Sequence, residues 1–356
     1  MRIAVVSNMF PDEKHPSYGV FVRNFCNILD EIGVDHVNFV MKKRDSLLGK
    51  VFGYISFYLG TIFELMVGRY DLIYVHYASH SSIPVLITRI FRKKPIYTNV
   101  HGSDVIPENA KQERMQKYTA KILKISKVVV APSEYFKSVV SKKYGIRQER
   151  IYVSPSGGVD GNIFFKEREK KNGKALQIGY VGRISHKKGW DTLLKACSEL
   201  TIPYELTIVG NGPEYKDMRE MAEVLRLDTN INWQGLQPQD QLRGIYNDLD
   251  ALVFPSEREG ESLGLVAIEA MACGTPVIAS DYAAQAYYVV DGENGFKYEC
   301  GSSDALAAKI VDFYKLDEAE KREMSRAAER TAKAYSVSYI KSGIDALLET
   351  VTINGT

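Results

Sequence analysis

The sequence predicts an α/β protein made of two Rossmann-like domains that face each other across a cleft. Short apolar runs alternate with longer amphipathic stretches, a pattern typical of parallel sheets covered by helices on both faces. The 356 residues exceed what one hydrophobic core usually supports, so two domains are expected. With 45% hydrophobic and 25% charged residues, the composition excludes a disordered or fibrous chain.

Eleven apolar runs have the length and flanking turns of buried strands. In the first half they are IAVVS, VNFV, LIYVH, IYTNVHG, VVVAPS and IYVSPSG. In the second half they are LQIGYVGR, YELTIVG, NINWQG, ALVFPS and PVIAS. The segments between them are long enough for helices, which gives successive βαβ units.

The domain boundary is expected in SPSGGVDGNIFFKEREKKNGK, where Pro and Gly precede a charged segment, ending near Lys174, that we expect to be flexible. We therefore assign residues 1–160 to an amino-terminal domain and residues 161–330 to a carboxyl-terminal domain. Residues 331–356 contain SYIKSGIDALLETV, an amphipathic pattern that predicts a helix packing back on the amino-terminal domain.

The cysteines and the amino terminus indicate a cytoplasmic protein. The four cysteines form no C-x-x-C pair, so neither a zinc site nor a redox dithiol is indicated. We expect reduced thiols. The opening MRIAVVSNMFPDE resembles a first buried strand more than a signal peptide.

Charge is divided unevenly between the two halves. Residues 1–160 contain 23 Lys and Arg against 14 Asp and Glu, whereas residues 161–356 contain 23 against 30. This division indicates an anionic partner for the first half, with scattered surface charge as the alternative.

The segment VFGYISFYLGTIFELMV, residues 51–67, is apolar apart from Glu64 and follows a group of basic residues, Lys42, Lys43, Arg44 and Lys50. It is short for a membrane span. Three interpretations stay open: a helix buried against the first sheet, a helix in the interface of an anionic membrane, or a partner surface.

Two glycine-containing loops in the second half follow predicted strands. In GYVGRISHKKGWDTLL, Arg183 offers a planar fork of donors and Lys188 a mobile ammonium, a pair suited to a diphosphate. Two solvated loop cations are the alternative. In TIVGNGPEYKDMREM, the Gly-Asn-Gly-Pro turn allows close approach to the backbone, although such turns are common.

A third loop, EREGESLGLVAIEA, has carboxylates close to a predicted helix start. We place Glu261, Ser262, Leu263 and Gly264 at that start, where free amides and the helix dipole favour an anion. Glu269 follows Glu261 by two helical turns, on roughly the same face. The two carboxylates are therefore suited to accept hydrogen bonds from sugar and ribose hydroxyls.

These motifs resemble a known family. ESLGLVAIEAMACGTPVIA resembles the E-x7-E signature of retaining glycosyltransferases of family 4, which have the two-domain glycosyltransferase B fold. VGRISHKKG, VGNGPE, NWQGL, LVFPS and VIASD follow in that family's order and spacing, so the similarity spans nearly the whole chain. It implies transfer from a nucleotide-diphosphate-sugar to a glycan or lipid-linked acceptor in cell-surface polysaccharide synthesis. It implies no metal, no other cofactor and no nucleic-acid partner.

The resemblance also implies roles for single residues of the second domain. Arg183 and Lys188 match the pair that holds the donor diphosphate and stabilises the leaving group. Glu269 matches the ribose-binding carboxylate. Glu261 matches the residue that contacts the transferred sugar, helped by the amides that follow it. Leu236 falls where the family often binds the base through its backbone.

In the first domain, NVHGSD resembles the loop whose histidine, here His101, faces the reacting sugar, and Asp104 is a further candidate. SYGVFVRN resembles the glycine-rich loop near the phosphates, with Gly19. Many members have two glycines there, whereas Tyr18 precedes Gly19 in this chain, which leaves close backbone approach in question.

The implied reaction needs cations and oriented amides around the phosphates. In this family attack is usually described as occurring on the face from which the diphosphate departs, without an enzyme nucleophile. Asp248 and Asp250 form a DLD sequence like a metal-binding motif, but it leads directly into a predicted strand, so we interpret both as strand-entry residues.

Other functions are weighed against these motifs. His76 and His80 provide half of a metal site at most, and we interpret them as loop or cleft histidines. The dinucleotide-binding G-x-G-x-x-G pattern is absent after the first strand, which argues against an oxidoreductase. A non-catalytic nucleotide-sugar-binding subunit and a sugar-nucleotide epimerase of the same fold remain alternatives. We expect a cytoplasmic enzyme, peripheral on the inner face of an anionic membrane.

Overall fold

The structure is a computed structural model that describes residues 1–16, 18–155, 157–167, 173 and 175–353. The chain divides into two compact units, Met1–Gly157 with Ile340–Thr356, and Gly158–Tyr339. Much of the charged segment expected to be flexible, residues 168–172 and 174, lies outside the described residues.

The first unit is built around a parallel sheet. Its strands are β1 (Arg2–Phe10), β2 (Asp35–Lys42), β3 (Leu72–His76), β4 (Ile96–Asn99), β5 (Val128–Ala131) and β6 (Ile151–Val153). Its helices are α1 (Val20–Glu31), α2 (Leu47–Val67), α3 (Ser82–Thr88), α4 (Ala110–Ile125), α5 (Glu134–Tyr144) and, from Ile340, α13 (Val337–Ile353). The strand order is β2-β1-β3-β4-β5-β6.

Side chains along β1 alternate between two hydrophobic clusters because successive residues of a strand point to opposite faces. Ala4 and Val6 pack with residues of α2 to α5 on one face. Ile3 and Val5 pack with residues of α1 and α13 on the other. The sheet is therefore covered on both sides, as its near-continuous apolar strands predict.

Helix α2 is longer and more exposed than a core helix. It begins at Leu47, where the hydroxyl of Ser46 accepts a hydrogen bond from the Gly49 amide at 3.1 Å. Only Phe57, Thr61 and Leu65 of its 21 residues are buried. Among the described residues, α2 is the one helix that is long enough and apolar enough to cross a membrane, judged by length and composition alone. The interpretation of residues 51–67 as a buried core helix is therefore wrong for most of its surface.

The second unit has a parallel sheet of its own. Its strands are β7 (Leu176–Val181), β8 (Tyr204–Val209), β9 (Ile231–Gly235), β10 (Ala251–Phe254), β11 (Val277–Ser280) and β12 (Gly295–Tyr298). Its helices are α6 (Trp190–Ser198), α7 (Tyr215–Val224), α8 (Gln239–Asp248), α9 (Leu265–Ala272), α10 (Gln285–Tyr288), α11 (Ser303–Lys315) and α12 (Glu318–Lys333). The strand order is β12-β11-β10-β7-β8-β9.

The apolar runs predicted all eleven of the first strands and missed the last, β12. It begins at Gly295, where a Cβ would lie 2.0 Å from the carbonyl oxygen of Val277. Glycine is required by this close contact between neighbouring strands, but glycine in a sequence argues against a strand. The two sheets with their alternating helices form the two Rossmann-like units predicted from the sequence.

The division between the units differs from the expected one by three residues at the first crossing and by nine at the second. The amide of Val159 donates to the carbonyl of Tyr335 at 2.8 Å, and the amide of Val337 donates to that of Val159 at 3.1 Å. These bonds hold residue 159 in the second unit, so the first crossing falls at Gly157. The second crossing comes within α13, at Ile340.

We expect Leu348→Ala and Ile344→Ala each to lower the free energy of unfolding by about 2–4 kcal/mol, because both side chains are buried against the first sheet. Urea unfolding followed by circular dichroism measures the change. The matched control is Tyr339→Ala, an exposed residue of the same helix, which should change stability by less than about 0.5 kcal/mol. Equal effects at positions 339 and 348 would contradict this packing.

Candidate functional site

The second sheet reverses its order between β7 and β10. After β7 the chain adds β8 and β9 on one side and then returns to place β10, β11 and β12 on the other. In open parallel sheets, ligands bind beyond the carboxyl ends of the strands at such a reversal. Arg183 and Lys188 follow β7, and Glu261 follows β10, so the strand order brings these loops together.

The loops after β7 and β8 are in direct backbone contact. A Cβ on Gly210 would lie 1.9 Å from the carbonyl oxygen of Gly182, and a Cβ on Gly212 would lie 1.9 Å from that of Ile184. The amide of Ile184 also donates to the carbonyl of Asn211 at 3.0 Å. The Gly-Asn-Gly turn is therefore required by loop packing, whatever else it binds.

A cavity of about 730 Å³ lies beside these loops. Its wall includes Arg183, Gly212, Leu236 and Val266, which come from four separate segments of the second unit. A volume of this size is typical of small-molecule sites. The structure thus places two of the predicted donor-binding residues, Arg183 and Leu236, at one cavity, and both side chains are exposed.

Lys188 and Glu261 form a close, largely buried ion pair. The ammonium of Lys188 lies 2.6 Å from Glu261 Oε2, and the hydroxyl of Ser256 donates to the same oxygen at 2.8 Å. Burial alone would raise the pKa of Glu261, but Lys188, Ser256 and Arg258 outweigh it and lower that pKa. Glu261 is therefore ionised at neutral pH, and a cation is held at the reversal of the sheet.

The helix after this loop starts later than predicted. Helix α9 begins at Leu265, and Gly264 precedes it in the left-handed conformation, with φ at 77°. Residues 261–263 lie in the loop before the helix. The prediction that Glu261 and Glu269 share a helix face is therefore wrong, because Glu261 is not in the helix. Ser262, Leu263 and Gly264 follow Glu261 directly. Their backbone amides donate no hydrogen bond to any of the described residues.

Glu269 lies inside α9 and is buried. The hydroxyl of Tyr246, on α8, donates to Glu269 Oε2 at 2.9 Å. Burial raises the pKa of Glu269 to about 7, although the Tyr246 hydrogen bond acts in the opposite direction. Small changes in its surroundings therefore decide whether this carboxyl is charged at neutral pH.

The sequence did not point to several residues that support Glu261. Gln285 Nε2 donates to the Ser256 carbonyl at 3.0 Å and to Ser280 Oγ at 2.8 Å, which holds the loop after β10 against α10. The Tyr288 hydroxyl and Gln285 Oε1 are buried and have no hydrogen-bond partner among the described residues. The one signal for Ser256 in the sequence was its position, because it comes just after the carboxyl end of a strand.

In the first unit, His101 belongs to an aromatic cluster beyond β4. His76 Nδ1 lies 3.1 Å from His101 Nε2, and the Phe21 ring stacks on His101 with 3.8 Å between centroids. Burial lowers the pKa of His76 to about 3, and burial together with His76 lowers the pKa of His101 well below its ordinary value. Both imidazoles are therefore neutral at pH 7.

Asp104 holds the loops after β3 and β4 in place. Its Oδ1 accepts from the amides of His101 at 3.0 Å and Gly102 at 2.9 Å, and its Oδ2 accepts from Ala78 at 2.8 Å. The side chain is buried, and burial raises its pKa despite these bonds. Its visible function is to position His101.

Gly19 precedes α1 with φ at 76°, and a Cβ there would lie 2.6 Å from the carbonyl carbon of Met9. A side chain at this position would therefore push the loop away from the end of β1. The single glycine thus allows the backbone before α1 to lie close to the backbone at the end of β1.

The remaining candidates have structural partners. His76 contacts His101, whereas His80 Nδ1 lies 2.6 Å from the hydroxyl of Tyr58, so the two histidines do not share a site. Asp250 Oδ2 accepts from the Gln177 amide at 2.8 Å, just before β10, as a strand-entry residue does, whereas the same interpretation of Asp248 is wrong because Asp248 ends α8. No group of three His, Cys, Asp or Glu side chains within the described part of the chain is arranged to hold a metal.

Comparison with known proteins matches both units. The family model described as "Glycosyltransferase Family 4" matches residues 15–159, and that described as "Glycosyl transferases group 1" matches residues 162–331. Together they account for most of the chain, and they meet within a few residues of the structural boundary at Gly157.

Individual proteins show the same similarity. WcaL of Salmonella typhimurium, provisionally described as a colanic acid biosynthesis glycosyltransferase, is 28% identical over 59% of this chain, and the match spans 53% of that relative's length. Sucrose-phosphate synthase of Thermosynechococcus elongatus is 20% identical with a TM-score of 0.81, covering 99% of this chain and 100% of that one. HepE of Anabaena, in complex with UDP-glucose, is 18% identical with a TM-score of 0.72, covering 98% and 100%.

The similarity to solved structures shows the fold. The family models show to which family the sequence belongs. The family 4 model matches the first part of the chain, and the group 1 model matches the second part, which contains the motifs after β7, β8 and β10. The chain therefore belongs to the family 4, group 1 glycosyltransferases and has their glycosyltransferase B fold.

Proposed function

We propose that this glycosyltransferase moves a hexosyl group from a nucleotide-diphosphate-sugar to a glycan or lipid-linked acceptor, with retention of configuration and without a metal ion. The observation that supports this most is the site at the reversal of the second sheet. There an exposed Arg183 lines a ligand-sized cavity, and Lys188, in the loop after the same strand, is paired with Glu261.

The donor would bind through groups that suit each of its parts. Arg183, Lys188 and the free amides after Glu261 favour the diphosphate. Exposed Leu236 lies in the cavity wall, where its backbone is available to a base. Glu269 would accept hydrogen bonds from the ribose hydroxyls. A structural neighbour, HepE, is described in complex with UDP and with UDP-glucose, which supports a nucleotide-sugar as ligand.

The proposed reaction exchanges two bonds at the anomeric carbon. The bond to the diphosphate oxygen breaks and its electron pair stays on the diphosphate, while the acceptor hydroxyl oxygen forms the new glycosidic bond. The acceptor proton passes to a diphosphate oxygen on the same face. Arg183 and Lys188 stabilise the negative charge that develops on the leaving group, and neither has to exchange a proton.

The surroundings of Glu261 favour this course over a double displacement. A carboxylate nucleophile needs a free oxygen close to the anomeric carbon. Lys188 and Ser256 donate to Glu261 Oε2 and lower the pKa of this carboxylate, which makes it a weaker nucleophile. We assign Glu261 to hydroxyls of the transferred sugar and to the orientation of Lys188.

The low pKa of His101 limits its role. A neutral imidazole packed on Phe21 and His76 is suited to hydrogen bonding with a sugar hydroxyl and does not supply a proton as an imidazolium. We assign His101 to positioning of the transferred sugar, with Asp104 holding its loop.

The cellular context is part of the proposal. Relatives are named for colanic acid biosynthesis and for transfer to D-inositol 3-phosphate, so surface-polysaccharide synthesis is one of several contexts in the family. We favour a surface glycan or its lipid-linked precursor, made in the cytoplasm at an anionic membrane that the basic amino-terminal unit approaches.

We expect Lys188→Ala and Glu261→Ala each to reduce donor turnover at least about a hundredfold, the scale of losing one preorganised charged group. The measurement is release of nucleoside diphosphate from the nucleotide-sugar that most raises the melting temperature in a screen. Glu259→Ala is the matched control, an exposed carboxylate of the same loop, and should turn over normally. Normal turnover in both site variants, with circular dichroism unchanged, would rule out this site.

Turnover should continue in excess EDTA, since side-chain cations and amides are proposed to neutralise the diphosphate. Proton NMR of the product should show the anomeric configuration of the donor. A product of inverted configuration would reject retention. Loss of activity in EDTA that added Mg²⁺ or Mn²⁺ restores would reject the metal-independent reaction. An epimerised sugar in place of a glycoside would favour the epimerase alternative.

Donor affinity should fall as the pH drops below about 7. Ribose hydroxyls donate to the ionised form of Glu269, whose pKa is raised to about 7 by burial, so protonation removes the preferred acceptor. The affinity should level off about one pH unit above that value, where Glu269 is almost fully ionised. Tyr246→Phe removes a hydrogen bond to the carboxylate and should move the fall to higher pH. Calorimetric titration from pH 5.5 to 8 measures this, and Glu269→Gln should bind weakly with no such pH dependence.

A further inference from the structure

Helix α2 exposes an apolar side chain at every fourth position along its whole length. These side chains are between 48% and 78% exposed. They are Leu47, Val51, Ile55, Leu59, Phe63 and Val67. Residues four apart are neighbours on a helix surface, so the side chains form one continuous stripe that turns gradually around the helix axis.

The opposite side of α2 is fixed to the first unit. Phe57, Thr61 and Leu65 are buried. At the carboxyl end, the guanidinium of Arg92 donates to the carbonyls of Met66 and Gly68, both at 2.7 Å. These contacts hold the helix from Phe57 to its carboxyl end on the surface of the unit, which argues against a separate membrane span.

The apolar surface continues onto the neighbouring helix. Ile87 at the end of α3, and Ile90 and Phe91 just after it, are exposed, and α3 packs alongside α2. An apolar surface shared by two helices differs from the single exposed apolar residues that are common in soluble proteins. We call it the α2–α3 face, defined by these three residues and the α2 stripe.

Basic residues flank this face. Exposed Lys and Arg side chains precede α2, lie in its first turn, and follow α2 and α3: Lys42, Lys43, Arg44, Lys50, Arg69 and Lys93. The exposed acidic residues near this border are Asp45, whose Oδ1 lies 3.1 Å from His15 Nε2, Glu64 and Asp71, so the six basic residues outnumber them two to one. An apolar centre with a basic border complements an anionic lipid surface.

The same border disfavours a second copy of this chain. In a two-fold symmetric contact each partner presents the same patch, so the basic borders would face each other. Anionic headgroups neutralise these cations while the acyl region takes up the apolar side chains.

We propose that the α2–α3 face is an interfacial membrane-binding site, with α2 lying flat at the headgroup level of a bilayer rich in anionic lipid. The proposal deepens the lipid-linked acceptor of the proposed function, because it would hold the first unit where such an acceptor is embedded. Binding itself requires no turnover, so the two proposals fail separately.

The test is sedimentation of the full chain with vesicles of phosphatidylcholine, alone or mixed with phosphatidylglycerol. We expect binding to the mixed vesicles, weakened at least about tenfold by Leu59→Glu with Phe63→Glu. Lys42→Glu with Lys43→Glu should cause a similar loss at low salt and a smaller one at high salt. Val224→Glu, at an exposed apolar residue of α7, is the matched control and should bind as the wild type does.

Donor hydrolysis without vesicles should be unchanged in all these variants, which shows that they fold and separates this result from the catalytic proposal. Failure of the wild type to sediment with mixed vesicles would overturn the inference, as would equal binding by the Leu59→Glu, Phe63→Glu variant. A wild-type dimer in size-exclusion chromatography that this variant converts to a monomer would assign the face to a second copy instead.

Discussion

The ion pair between Lys188 and Glu261 is the contact on which the candidate site depends. It joins the loops after β7 and β10, the two strands between which the second sheet reverses its order. Each group is largely buried, so removing one partner leaves an uncompensated charge, at a typical cost of about 3–5 kcal/mol. The pair therefore holds an ammonium at the reversal of the second sheet before any ligand arrives.

The two units contribute different chemistry. The second unit provides charge and free amides: Arg183 in the cavity wall, the Lys188–Glu261 pair, and a carboxyl at Glu269 whose pKa lies near neutrality. The first unit provides neutral groups, since burial keeps His76 and His101 uncharged. The candidate residues of the two units therefore differ in their charge state.

Glycines and buried acids show why site residues cannot be assigned by pattern alone. Gly210 and Gly212 belong to a turn that suggests ligand binding, yet their backbone contacts with the β7 loop already require glycine. Asp104 follows a strand as a catalytic acid would, but three backbone amides occupy its oxygens. In each case the sequence marked the residue as a candidate, and only the packing shows what the residue contacts.

The sequence alone determined the eleven strands and the loops that carry Arg183, Lys188 and Glu261, because apolar periodicity and turn chemistry are local properties of a chain. It also determined the family, through motifs spread over both halves. Tertiary structure decided the rest. The 2.6 Å contact of two residues 73 positions apart, the pKa of Glu269 and the exposure of α2 all depend on strand order and on which helix face meets the sheet. Those are relations between distant segments, which no local pattern encodes.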